Sequence, residues 1–180
     1  GSSKSTFSRI LRQLIDPSSV PTQALPRNTA DLMITASNSH LLVFDNVRTL
    51  SVDLSDALCQ LATGGGSRTR TLYTNSQETL VHVTKPCILN GIDEVASQPD
   101  LVSRCLLMEL PMITARRTEE ELNSKFAASI NSIFAGLMDA LSKTVAEIDN
   151  VTDVPETRMA DFARFSVAVE RALQWPEGSF

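Results

Sequence analysis

The sequence predicts an α/β fold, a core of short parallel strands between helices, followed by a helical C-terminal segment. Three observations predict it. Two continuous apolar runs, Leu41-Leu42-Val43-Phe44 and Cys87-Ile88-Leu89, each end at a polar residue, Asp45 and Asn90, as parallel strands buried on both faces do. Segments of helical period separate these runs. Beyond residue 112 only helical period remains, the order expected of an α/β core followed by a helical lid. The expected organisation is a core over residues 1–112 and a lid over residues 113–180.

The elements follow in order. Phe7, Ile10, Leu11 and Leu14 fall at helical spacing, so residues 6–14 are a helix that Asp16-Pro17 ends. The Pro/Ser-rich stretch 17–26 is a loop, and residues 30–37 a short helix. The first strand, 41–44, precedes a helix over 54–62 that puts Leu54, Ala57, Leu58 and Leu61 on one face and stops at Thr63-Gly64-Gly65-Gly66. Residues 69–74 and 79–84 read as a hairpin around Asn75-Ser76-Gln77-Glu78. The strand 87–90, a helical turn over 100–104 and a third strand over 105–110 complete the core. An amphipathic helix spans 118–148, with Leu122, Phe126, Ile130, Ile133, Leu137, Leu141, Val145 and Ile148 on its apolar face, and a last helix spans 157–173.

Composition narrows the function. A chain of 180 residues with 42% hydrophobic and 21% charged residues is neither disordered nor fibrous and can bury a core. Its net charge of −5 argues against a wholly basic DNA-coating protein and leaves room for a local basic loop. No apolar run reaches the ~18 residues of a membrane span, and the polar opening is not that of a signal peptide. Cys59, Cys87 and Cys105 are odd in number, widely spaced and set in apolar segments, the pattern of buried thiols in a reducing cytoplasm. His40 and His82 have no neighbouring ligands for a metal.

The chemistry is concentrated at strand ends and at the start of the chain. Gly1-Ser2-Ser3-Lys4-Ser5-Thr6 matches the second half of a phosphate-binding P-loop, G-x-x-x-x-G-K-[ST]. In that reading Lys4 reaches the β- and γ-phosphates of ATP, the Ser5 hydroxyl ligates Mg²⁺, and backbone amides of residues 1–6 cradle phosphate oxygens. The first Gly and the preceding strand are missing, and Ser3 stands where Gly is usual. The competing reading is a cloning remnant in front of an ordinary helix. Asp45, at a strand's C-terminal end, is placed to hold the water shell of Mg²⁺ or to cap a loop. Asn90 is placed to contact a γ-phosphate or an attacking water, or to start an Asx turn into Gly91. Arg104, in Asp100-Leu101-Val102-Ser103-Arg104, can reach a neighbour's γ-phosphate from a subunit face or form a surface ion pair. Arg68, Arg70 and Tyr73 give the hairpin two phosphate-binding cations and a stacking ring. The alternatives there are an arginine acting on the neighbour's nucleotide, or a solvated hairpin.

The order of these motifs resembles the AAA+ class of P-loop NTPases, and most closely the phage- and plasmid-encoded helicase and primase-associated ATPases, including superfamily 3 helicases. The stretches Leu11-Arg12-Gln13-Leu14-Ile15-Asp16-Pro17, Ala62-Thr63-Gly64-Gly65-Gly66 and Ile88-Leu89-Asn90-Gly91-Ile92 also resemble uncharacterised ATP-binding proteins of bacteria and their mobile elements. The resemblance covers nearly the whole chain. It implies a P-loop parallel-sheet core lacking its first strand, with Lys4 and Ser5 in Walker A, Asp45 in Walker B, Asn90 as sensor 1, Arg104 as arginine finger and Arg158, or else Arg164, as sensor 2. It further implies ATP and Mg²⁺, a homo-oligomeric ring, which a hexamer would satisfy, and single-stranded DNA in a hairpin-lined pore. One departure stands out: Asn46 follows Asp45 where the class has Glu. Asn can orient a water but not deprotonate it, and Asp93 or Glu94 would have to serve as base. The sequence thus predicts an ATPase that remodels or translocates nucleic acid in mobile-element replication. The alternatives are an ATP-dependent regulatory or protein-remodelling switch without nucleic acid, and an inactive truncated remnant.

Overall fold

The computed structural model describes residues 3–64, 66–70, 78–91 and 95–179, with the backbone alone over 66–70 and 78–82. The chain forms two compact units, residues 1–115 and 116–180.

The first unit opens with α1 (Lys4–Ile15), followed by α2 (Thr29–Ser37), whose first turn is capped by the Asn28 side chain accepting from the Asp31 amide at 2.8 Å. Strand β1 (Leu42–Phe44) is buried at all three positions. Helix α3 (Val52–Thr63) starts at a Ser51 cap and ends at Gly64, whose φ of 81° is the left-handed conformation that glycine adopts without strain. Strands β2 (Gly66–Arg70) and β3 (Glu78–His82) pair antiparallel, with Arg68 opposite Leu80 and Arg70 opposite Glu78. Strand β4 (Cys87–Leu89) pairs parallel with β1, in the register Leu42–Cys87, Val43–Ile88, Phe44–Leu89. The short α4 (Pro99–Val102) follows, with Pro at its start.

β1 is the centre of the unit. On one side it pairs with β4; on the other Gln23 forms a parallel bridge to Phe44. Leu32, Met33 and Ala36 of α2 and Leu54, Ala57, Leu58 and Leu61 of α3 close over Leu42 and Phe44 in one apolar cluster. Burying each large side chain of this cluster stabilises the unit by roughly 1.5–3 kcal/mol.

The structure corrects the expected fold class. The parallel-sheet core of a P-loop NTPase is not formed: among the described residues the parallel sheet has two strands, β1 and β4, and helices make up most of the regular structure. The third strand expected over 105–110 is irregular. Leu106, Leu107 and Met108 are 59%, 69% and 64% exposed, so this apolar run lacks both the ladder partner and the cover that a buried strand requires. The expected hairpin is present, with its first strand starting three residues and its second one residue earlier than the apolar pattern suggested; residues 71–77 lie outside the described residues.

The second unit is helical. α5 (Glu119–Glu147) is capped by Thr118, whose hydroxyl accepts from the Glu121 amide, and carries Glu119, Glu120 and Glu121 in its first turn, where the helix dipole favours anions. A 3-10 turn (Ile148–Asn150) follows, and α6 (Ala160–Leu173) packs against α5. Arg164 donates to the Ile148 carbonyl from Nη2 (2.9 Å) and Nε (3.2 Å), tying α6 to that turn. No described helix is long and apolar enough to cross a membrane.

Candidate functional site

α1 buries polar residues beside Leu14 against the body of the first unit. Ser8 and Arg12 are buried at 1% and 6% exposure, while Phe7 and Ile15 are exposed at 37% and 52%. The reason lies at both ends of the helix. At the C-terminal end Arg12 pairs with Asp16 at 2.6 Å, and the same Asp16 carboxylate oxygen accepts the backbone amides of His40 (2.7 Å) and Leu41 (2.9 Å), which lead into β1. The Leu41 amide, then the Arg12 side chain, hold the Asp16 carboxyl down at about 2. At the N-terminal end Lys4 donates to the Gly91 carbonyl, just past β4. One turn on, Ser8 meets Asn90.

These contacts converge at the C-terminal ends of the two parallel strands. The Ser5 hydroxyl donates to Asp45 Oδ1 at 3.0 Å. The same oxygen accepts the Asn46 amide at 3.0 Å. Asn46 itself is exposed at a φ of 56°, a left-handed backbone that Asn tolerates better than most residues. The Asp45 amide donates to Gln23 and the Val47 amide to the Asn90 carbonyl at 2.8 Å, so the loop after β1 is pinned from both sides. Asn90 is 8% exposed, with its amide donating to Phe44 at 2.9 Å.

Of the residues singled out from sequence, Lys4, Ser5, Asp45, Asn46 and Asn90 are thus brought together from three distant stretches of chain. Gly1 and Ser2 lie outside the described residues. Ser3 takes a φ of 53°, and its side chain makes no capping bond to α1; Thr6, in its first turn, is half-buried. Asp93 and Glu94 also lie outside the described residues, as does Tyr73. Arg68 and Arg70 are on β2. Arg104 folds back on its own helix, its Nη1 donating to the Asp100 carbonyl at 2.7 Å and lying 2.9 Å from the Asp100 carboxylate, with its side chain 11% exposed. Arg158 is exposed in the turn before α6, and Arg164 is committed to Ile148; both belong to the second unit. A small cleft lined by Arg12, Ser18, Gln23 and Ser39 does not include Lys4, Asp45 or Asn90.

Ser8 and the Gly91 carbonyl were not found from sequence. Gly91 acts through its backbone, which no side-chain pattern reveals. Ser8 had one usable signal: it lies four residues after Lys4 and four before Arg12, on one stripe of the helix.

The donor set fits a hard cation such as Mg²⁺ in one respect: a hydroxyl and a carboxylate oxygen lie side by side at Ser5 and Asp45. Among the described residues no group of three His, Cys, Asp or Glu that could hold a metal ion is formed. The three cysteines are free thiols, and burial pushes Cys87 up to about 12, with Cys105 adding to it.

Comparison with known proteins places the chain among replication proteins of mobile genetic elements. It belongs to the family described as actinomycete integrative conjugative element replication protein, whose family model matches residues 1–175. No curated protein and no solved structure matches it.

Proposed function

We propose that the chain binds ATP with Mg²⁺ at the N-terminal end of α1 and couples its hydrolysis to remodelling or translocation of nucleic acid during replication of the element. The observation that supports this reading is the convergence of Lys4, Ser5, Asp45 and Asn90 at the carboxyl ends of β1 and β4, the place where open α/β sheets hold ligands. The uncapped first turn of α1 offers amides and a positive dipole end to an anion. Lys4 exchanges the neutral Gly91 carbonyl for a phosphate oxygen, a stronger charge-assisted partner. Ser5 and Asp45 hold Mg²⁺, which neutralises phosphate charge when bound. Asn90 supplies a side-chain amide to the terminal phosphate. The order of motifs still resembles the AAA+ ATPases, and on that resemblance the chain works in the cytoplasm as a homo-oligomeric ring, with Arg104 and Arg158 acting on nucleotide and with Arg68, Arg70 and Tyr73 on single-stranded DNA.

Asn46 favours a second reading, an ATP-dependent switch without nucleic acid. It follows Asp45 in an exposed left-handed turn and has no carboxylate with which to deprotonate water. ATP turnover measured with and without single-stranded DNA, beside Lys4→Ala, separates the readings. DNA-stimulated turnover that falls by about a hundredfold or more in Lys4→Ala, the loss expected when a key charge on the reacting phosphates is removed, is the result expected. Nucleotide binding without turnover selects the switch; absence of any nucleotide binding overturns both.

A further inference from the structure

We propose that the cleft between α1, the loop over 17–26 and the start of β1 binds a single phosphate group through Arg12, Ser18 and Ser39. Lys4 stands on α1 about two turns before Arg12, about 12 Å along the helix axis, and does not line the cleft. The site is therefore separate from the proposed nucleotide site and does not depend on it.

The groups that line the cleft are donors short of an acceptor. A guanidinium only donates, and the Arg12 side chain is 7% exposed. Among the described residues it has two contacts. Nη1 is enclosed with only the Asp16 carboxylate beside it, at 2.6 Å, and Nη2 reaches Ser39 Oγ at 3.5 Å, the outer limit of a hydrogen bond. Asp16 Oδ2 is already shared with the His40 and Leu41 amides, which leaves the remaining guanidinium hydrogens unanswered. Ser39 Oγ accepts from Arg12, and Ser18 Oγ accepts the Val20 amide at 3.2 Å, so each hydroxyl keeps its own hydrogen to give. Gln23 adds a carboxamide that can turn its NH2 inward. Buried Leu41 and Val43 back the cleft with apolar surface, against which a charge-assisted bond is strengthened. The partner of such a set is an acceptor on several sides. The volume, about 90 Å³, is far below the roughly 300 Å³ or more of a pocket for a drug-sized ligand, and suits one small oxyanion. Asp16 occupies Nη1, so the two-pronged face that grips a planar carboxylate is not free. A tetrahedral phosphate turns oxygens toward α1, the loop and residue 39 at once.

The test uses the full chain. Backbone amide shifts of Ser18, Gln23, Ser39 and Leu41 are followed by NMR as inorganic phosphate is added at constant ionic strength, with acetate as the planar control. The expected result is saturable movement at these residues, with acetate bound about tenfold more weakly or worse. Ser18→Ala and Ser39→Ala each weaken phosphate about tenfold, the loss of one hydrogen bond to a charged group, whereas Lys4→Ala leaves it within about twofold. Arg12→Lys, which keeps the charge and loses the planar fork, also weakens it; because Arg12 holds Asp16, the serine variants carry the test where Arg12→Lys does not fold. A 5′-phosphorylated dinucleotide that moves the same residues, when its unphosphorylated form does not, supports the site and assigns its phosphate to a larger molecule; movement with inorganic phosphate alone supports it and assigns the free ion. No saturable movement, shifts confined to Lys4 and Gly91, an equal response to acetate, or an affinity unchanged in Ser18→Ala or Ser39→Ala overturns the proposal.

Discussion

At the scale of single residues, Asp16 shows how a helix-ending acid becomes a structural anchor. Its carboxylate accepts from Arg12 and from the amides of His40 and Leu41, and these donors hold its pKa at about 2 against an ordinary 3.8. A depressed folded-state pKa contributes stability that is complete above the unfolded value and lost as pH falls through the folded one. The wild type therefore loses this contribution between about pH 4 and pH 2. In Asp16→Asn the thermal midpoint at pH 7 drops by roughly 2–4 °C, the shift of a ~1 kcal/mol loss in a chain of this size. The variant also shows a flatter decline over that acid interval; melting curves at stepped pH, with a mutant parallel to wild type from pH 5 to 2, would show that the anchor has no such role. The site is legible in the sequence to a similar, partial extent. Asp45 and Asn90 announce themselves because an apolar strand that ends in a polar residue delivers it to one edge of a sheet. Ser8 does not, because a lone serine in a helix carries no pattern; only the fold shows that it is buried against an amide.

At the scale of elements, apolar spacing located the helices and left their orientation open. Phe7, Ile10, Leu11 and Leu14 predicted α1, but of these only Leu14 is fully buried, and polar anchors at Lys4, Ser8, Arg12 and Asp16 share in deciding how the helix sits. The run over 105–110 has the composition of a buried strand, yet a strand exists only through its neighbours, and composition cannot supply them. In α5 the apolar face is used unevenly: Phe126 is 9% exposed, whereas Leu137 and Leu141 are 45% and 43% exposed. Truncating a buried aromatic removes many contacts and leaves a cavity, so Phe126→Ala costs about 3 kcal/mol or more. Leu137→Gln, at a half-exposed position, changes stability by about 0.5 kcal/mol or less. Urea denaturation followed by helical ellipticity measures both. Equal losses would mean that the two positions are equally packed.

At the scale of the whole molecule, the two units differ in charge as well as in structure. The net charge of −5 is carried mostly by residues 116–180. Each unit has its own packing, the first around β1 and the second where α6 meets α5. Between them, residues 111–118 have no regular secondary structure, and every residue from 111 to 120 is exposed. Cleavage by a protease requires an extended, accessible backbone, which surface loops provide and packed helices withhold. Arg116 and Arg117 are in this stretch, whereas Arg12 is buried and Arg164 and Arg171 are held within α6 by bonds to the Ile148 and Asn150 carbonyls. Brief digestion with trypsin therefore cuts at Arg116 or Arg117, as at the other exposed arginines outside helices, Arg27, Arg48 and Arg158, before it cuts within α1, α5 or α6, and intact-mass spectrometry identifies the cuts. First cuts within α5, at Lys125 or Lys143, would mean that its helix opens more readily than the connecting stretch, and that residues 116–180 do not hold together as a unit.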